Sequence, residues 1–274
     1  MSDDVLRAPA PHPGAVRAAF FDVDNTVIRG ASAYQLAREL FRRGFFRRRD
    51  ILRFGWMHLK YLTVGETKDQ AEEVHDRAAA FIAGRTVAEI TAVGEEVYDT
   101  VLGLRIYPGT LRLIDEHLAA GYEVWFVTAT PVEIGRLIAR RMGATGCLGT
   151  VAEHRGGVYT GRIVGNLMHG EHKAEAVREL AARTGIDLAA SYAYSDSLND
   201  LPMMNLVGNP CAINPDLKLR RHASDVGWPI REFRGRGRRV WGRSLRSASL
   251  AGGVWVGGVI WRQLRKRLAA GFQR

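Results

Sequence analysis

The chain has 274 residues, 46% of them hydrophobic and 25% charged, which excludes a disordered or fibrous chain and allows one large domain or two modest ones. Two cysteines, Cys147 and Cys211, exclude a disulfide framework and offer no metal-ligand spacing. The net charge of +10 is uneven: from Arg231 onward 12 Lys and Arg face Glu232 alone, leaving the first 230 residues close to neutral, without the basic footprint of a nucleic-acid groove.

Residues 1–14 are rich in Pro, Ala and Asp and read as a flexible lead-in. The opening Met1-Ser2-Asp3-Asp4 lacks the apolar core of a secretory signal, so a cytoplasmic location is expected. Ala18 to Asp22 is an apolar run that ends in two carboxylates, Asp22 and Asp24, then Asn25 and Thr26. Such a run reads as a buried parallel strand. In an extended chain residues i and i+2 share a side, so the two carboxylates can converge just beyond the strand's carboxyl end, where open α/β sheets bind ligands. Two close carboxylates must raise one pKa or hold a cation. The same stretch would also serve as a solvated loop capping the next helix, and the rest of the chain has to decide.

From Ser32 to about Gly103 the spacing predicts helices and no strand. Leu36, Leu40, Phe45 and Phe46 come first, then Ile51, Phe54, Trp56 and Leu59, a second stretch from Thr67 through Phe81, and a third from Thr86 through Val97. Helical spacing makes the aromatics core residues, and the arginines Arg42, Arg43, Arg47, Arg48 and Arg49 a solvated face or a face toward an anion. From Ile106 the pattern becomes repeated αβ units. Helices are expected over 108–120, 131–142, 171–183 and 201–207, with another starting at Asp216. Strands are expected over 123–128, 147–152, 191–194 and 211–214, and a small hairpin over 155–163. This alternation implies a parallel sheet with right-handed crossovers. The fold class is therefore α/β: a Rossmann-like parallel sheet with helices on both faces, carrying an inserted all-helical cap. The domains are 15–30 with 104–230 as the core, 31–103 as the cap, and 231–274 as a basic, Trp-containing tail.

Further polar residues fall at strand or helix ends: Thr128 after the strand that begins at Glu123, Lys173 at a helix start, and Asp196 to Asp200 in Ser195-Asp196-Ser197-Leu198-Asn199-Asp200. With Asp22-Val23-Asp24-Asn25-Thr26, these four ordered pieces make the chain resemble the haloacid-dehalogenase superfamily phosphatases with a helical cap, the subfamily that includes phosphoserine phosphatase. The resemblance implies Mg²⁺-dependent hydrolysis of a small-molecule phosphomonoester. Asp22 would be the nucleophile that becomes an aspartyl phosphate, and Asp24 the general acid and base. Mg²⁺ would bind Asp22, the Asp24 backbone carbonyl and Asp196. Thr128, Lys173 and Asn199 would hold the phosphate, Lys173 also offsetting charge at the nucleophile, and Asp200 would orient the metal shell. Family dehalogenases lack the second aspartate and transport ATPases carry Thr there, so Asp24 points to ester hydrolysis. A phosphotransferase using the same aspartyl phosphate, and a surface-binding protein with vestigial motifs, are the alternatives.

Two departures stand out. Phosphoserine phosphatases carry a glutamate for the substrate ammonium soon after the first motif, whereas Val27 to Ala33 here holds no acid, which argues against phosphoserine unless a cap acid such as Glu66 substitutes. Ser195 sits where many relatives have Gly. In the tail, Arg234-Gly235-Arg236-Gly237-Arg238-Arg239 is a Gly/Arg linker, followed by twelve apolar residues from Leu250 to Trp261, short of the ~20 that span a bilayer. Trp241, Trp255 and Trp261 beside arginines suit residues 241–267 to a peripheral contact with anionic membrane; docking on the chain's own core or on a partner is the alternative. No nucleic-acid partner is expected, because no aromatic stacking platform accompanies the Gly/Arg segment.

Overall fold

A computed structural model describes residues 16–42 and 82–234. The second predicted helical stretch, most of the arginine face, Glu66 and the tail from Gly235 onward lie outside them.

Among the described residues seven strands form one sheet in the order β4-β3-β2-β1-β5-β6-β7. They are β1 (Ala18–Asp22), β2 (Glu123–Pro131), β3 (Gly146–Arg155), β4 (Val158–Val164), β5 (Tyr192–Ser195), β6 (Asn209–Ile213) and β7 (Ile230–Arg231). Every pairing is parallel except β3 with β4. β1 is central, with all five residues buried. It pairs with β2 on one side and β5 on the other, placing Phe21 opposite both Phe126 and Tyr194. The strand order reverses at β1, and the crevice at the carboxyl ends there is where open α/β sheets take ligands.

Side-chain alternation along β1 builds a core on each face of the sheet. Ala19 and Phe21 enter one cluster with Leu113, Ile114, Ile134 and Ile138. Ala18 and Phe20 enter the other with Val177, Leu180, Met203, Met204 and Leu219. The first cluster is served by α3 (Pro108–Ala119) and α4 (Val132–Arg141), the second by α5 (Glu171–Thr184), the short α6 (Leu201–Met204) and α7 (Leu217–Val226). Each fully buried Phe contributes roughly 1.5–3 kcal/mol of transfer free energy. Helix α3 starts with Pro108 in its first turn, where a missing N–H costs nothing. Helix α5 stops at Gly185 with φ +75°, a left-handed cap that glycine adopts without strain.

Within 31–103 the described residues form helix and no strand: α1 (Ser32–Arg42), α2 (Val87–Val97), a wide π turn at Tyr98–Leu102 and a 3₁₀ turn at Gly103–Arg105. Thr86 and Glu89 close a reciprocal capping box at the start of α2. Leu36, Leu40, Ile82, Ile90, Val93 and Val97 belong to the same apolar cluster as the β1 face. Glu95 on α2 pairs with Arg140 and Arg141 of α4 at 2.5 and 2.6 Å.

Three features differ from the sequence reading. β2 continues past Thr128 to Pro131, with a shift of register against β3 between those residues. β3 and β4 are longer than a small hairpin, and β4 is tied to the segment before α2: Gly84 N–H donates to Tyr159 O and Tyr159 N–H to Arg85 O, both at 2.8 Å. The sheet also does not end with the strand expected over 211–214. Ile230 and Arg231 pair with Ala212 and Ile213, and Phe233 packs against the first core cluster. A two-residue edge strand flanked by Pro229 and Glu232 gives too short a period-2 pattern to recognise.

His117 of α3 is buried among Phe21, Tyr122, Tyr192 and Tyr194, with Nε2 2.7 Å from Tyr194 Oη. Burial, helped by the positive charge of Arg231, pushes its pKa down to about 4 from 6.5. The folded chain keeps this ring neutral, while the unfolded chain takes up a proton below 6.5. Stability is therefore lost as pH falls from 6.5 toward 4, by roughly 1.4 kcal/mol per unit from this group. Urea melts of His117→Gln between pH 7 and 4 should lose about 3 kcal/mol less than wild type; parallel losses would show that other groups govern acid sensitivity.

Candidate active site

The chain after β1 folds back at once. Val27 and Ile28 N–H both donate to Val23 O at 2.9 Å, and Asn25 N–H donates to Ile28 O at 2.7 Å. Asn25 takes φ +61°, a left-handed conformation that Asn tolerates better than most residues. Its Oδ1 accepts from Gly30 N–H at 3.0 Å, and its carbonyl accepts from Asn214 Nδ2 at 3.2 Å. This compact turn holds the Asp22 and Asp24 carboxyl groups at the carboxyl end of the sheet.

Lys173, on the first turn of α5, reaches Asp22. Its Nζ donates to Asp22 Oδ1 at 2.6 Å and to Asp200 Oδ2 at 2.8 Å, and its side chain is 3% exposed. Asp200 Oδ2 also accepts from Ser195 Oγ at 2.7 Å. Asp196 follows β5, and its carbonyl accepts from Asp216 N–H at 2.8 Å. Arg234 stands at the rim, 4.0 Å from Asp196 Oδ2, because Asn214 Oδ1 accepts from the N–H groups of Phe233 and Arg234 at 2.7 and 3.1 Å.

Burial raises the Asp22 carboxyl to about 7, with Asp200 and Asp24 adding to the rise and Lys173 opposing it. Burial also raises Asp24. Asp196 is held well above the usual carboxylate range by burial and then by the charges of Asp22 and Asp200. Burial alone would lower Lys173, but Asp200 and Asp22 outweigh it, so the ammonium stays charged. Among the described residues, carboxylates thus outnumber the buried ammonium at this site.

Asp24 Oδ1 accepts from Ser32 N–H at 2.8 Å and Ser32 Oγ at 2.5 Å. Ser32 Oγ lies 2.7 Å from Thr130 Oγ1, and Thr130 N–H donates to Thr128 Oγ1 at 3.2 Å. Of the predicted residues, Asp22, Lys173 and Asp200 are in direct contact. Asp24 and Thr128 are joined through Ser32 and Thr130, and Asp196 interacts with Asp22 and Asp200 through charge. Asn199 is exposed on the turn beside them, its N–H donating to Ser197 Oγ at 3.3 Å. Ser32 and Thr130 were not among the residues the sequence reading selected. Their signals were a serine opening a helix and a second hydroxyl two residues after Thr128 on the same strand.

The donor set suits a hard divalent cation. It offers oxygen only, and the excess of buried negative charge favours a counter-ion. Among the described residues no three His, Cys, Asp or Glu side chains form a ready-made chelate. Mg²⁺ suits such a site, since it keeps several waters and takes one or two carboxylates plus substrate phosphate.

Residues 19–205 match the family described as haloacid dehalogenase-like hydrolase. The chain belongs to this family. A relative from Mycobacterium tuberculosis named phosphoserine phosphatase is 50% identical over 218 residues, covering 79% of this chain and 71% of its own. A protein from Neisseria meningitidis named histidinol-phosphatase is 28% identical over 234 residues, covering 79% of this chain and 98% of its own. A crystal structure from Bordetella pertussis Tohama I, of unknown function, superposes with TM-score 0.70 at 32% identity, covering 80% of this chain and 99% of that one. The seven-stranded sheet with its mostly parallel order is the fold of this hydrolase family. Among the described residues no helix is long and apolar enough to cross a membrane.

Proposed function

We propose that the chain is a Mg²⁺-dependent phosphatase that hydrolyses a small-molecule phosphomonoester through an aspartyl phosphate on Asp22. The observation that carries this is the buried Asp22–Lys173–Asp200 contact at the carboxyl end of the central strand. Asp22 attacks phosphorus in line and the ester oxygen leaves. Asp24 gives that oxygen its proton, then takes one from the water that cleaves the acyl phosphate. Lys173 keeps its charge throughout, and offsets the repulsion between carboxylate and phosphoryl oxygens. The Thr128 hydroxyl, buried on the next strand one residue past Val127, the partner of Asp22, is a donor to a phosphoryl oxygen, and Asn199 borders the same space. Asp22, Asp196 and the Asp24 carbonyl would hold Mg²⁺, with Asp200 orienting Lys173 and that shell. When bound, the ion neutralises phosphoryl charge and aligns the ester. Residues 31–103 are assigned as the cap over this crevice, on a core of 15–30 and 104–230.

Relatives named for phosphoserine and for histidinol phosphate both fit this chemistry. The turn from Val27 to Ala33 offers no carboxylate for an ammonium group, which weighs against phosphoserine. The test is phosphate release from a panel of phosphomonoesters including both, with Mg²⁺ and with EDTA. Release that EDTA abolishes and Mg²⁺ restores is expected, with phosphoserine a poor substrate. No release from any ester by folded, Mg²⁺-supplied protein would overturn the reading. For the tail, co-sedimentation of the full chain with anionic liposomes at low salt tests the proposed membrane contact.

A further inference from the structure

We propose that Ser32 and Thr130 are positioning residues, a buried hydroxyl relay that fixes which oxygen of Asp24 carries the proton; this rests on the role of Asp24 given above. Both Ser32 and Thr130 are essentially inaccessible, at 0% and 1% exposure, so bulk water does not compete for their hydroxyl groups. Ser32 presents two donors to one acceptor, its N–H and its Oγ–H both reaching Asp24 Oδ1, at 2.8 and 2.5 Å. A serine hydroxyl has a single proton. Once it is given to Asp24, the 2.7 Å contact with Thr130 requires Thr130 Oγ1–H to donate into Ser32 Oγ. The direction is therefore set along the whole chain, from Thr130 to Ser32 to Asp24, and the Thr130 N–H extends it to Thr128 Oγ1.

An oxygen that accepts two donors at these distances is the unprotonated oxygen of a carboxyl group. With Oδ1 so occupied, a proton carried by Asp24 is placed on Oδ2, which is left for the leaving oxygen. Oδ1 serves as the anchor. The relay thus replaces free rotation of the carboxyl about its Cβ–Cγ bond with one productive orientation, which is the kind of pre-organisation on which general acid catalysis depends. It also links the acid to the residues at the phosphate end of β2, through Thr130 and Thr128, and to the first residue of α1.

The test compares kcat/KM for an alkyl phosphate, whose leaving oxygen needs a proton, with that for an aryl phosphate, whose leaving group departs as the anion. Both are chosen as esters the wild type hydrolyses. Ser32→Ala and Thr130→Val are expected to lower kcat/KM for the alkyl ester by roughly 10–100-fold, part of the ~10²–10⁴-fold that general acid catalysis supplies, and that for the aryl ester by no more than about 3-fold. Thr130→Ser keeps the hydroxyl and is expected to stay within about 3-fold of wild type on both esters, which separates the hydroxyl from side-chain shape if either other variant melts early. Equal losses on the two esters, or a loss in Thr130→Ser as large as in Thr130→Val, would overturn the relay. Failure of the phosphatase reading is distinct: the wild type itself would release no phosphate from either ester.

Discussion

Replacing Asp22 with asparagine is expected to lower phosphate release by at least about 10³-fold, the scale on which enzymes lose rate when their nucleophile is removed, with the fold left intact. Asparagine keeps the shape of the side chain but its amide cannot form the acyl phosphate. The substitution also removes a buried negative charge that Asp200 and Asp24 repel and burial penalises. Lys173 keeps its 2.8 Å contact with Asp200. The melting temperature should therefore equal or exceed that of the wild type. Activity and melting measured on one preparation check both halves. Retained activity would exclude Asp22 as nucleophile, and a loss of activity that tracks unfolding would leave only a structural role.

Lys173→Met should remove activity and also a large share of the stability. The ammonium lies between Asp22 and Asp200 at 2.6 and 2.8 Å with 3% of its side chain exposed. Taking it away leaves carboxylates buried without a counter-charge, and breaking a buried pair this way costs about 3–5 kcal/mol. The pH dependence has a definite sign. The penalty exists while the carboxylates are ionised and fades as they take up protons, so the deficit should be largest near pH 8 and shrink toward pH 5. Asp22, Asp24 and Asp196 are already raised by burial, which places that relief above the ordinary carboxylate range. Urea melts of variant and wild type across this window check it. A constant deficit would mean that Lys173 acts through packing of its stem alone.

The central strand and the αβ repeats were legible because burial leaves a mark on one chain read alone. Ala18–Phe21 is apolar on both faces, as a strand covered twice must be, and Pro108, Gly121 and Gly143 punctuate the helices at their ends. The contact of Asp22 with Lys173 spans 151 positions, and only the order of four motifs hinted at it. Ser32 and Thr130 are not legible in the sequence for a physical reason: a serine at the start of a helix and a threonine in a strand are ordinary in those places, and their meaning arises from a 98-residue separation closed to 2.7 Å. Ser195 stands in the sequence where many relatives have Gly, and its hydroxyl supports Asp200. Edge strand β7 was hidden because two residues carry no periodicity.

The most direct measurement is acid-quenched mass spectrometry of the full chain during turnover of its best ester with Mg²⁺. One added phosphoryl group is expected on the peptide that contains Asp22, removed by hydroxylamine as an acyl phosphate would be, and absent from Asp22→Asn. Phosphate release with the label on a different residue, or with Asp22→Asn labelled equally, would contradict it.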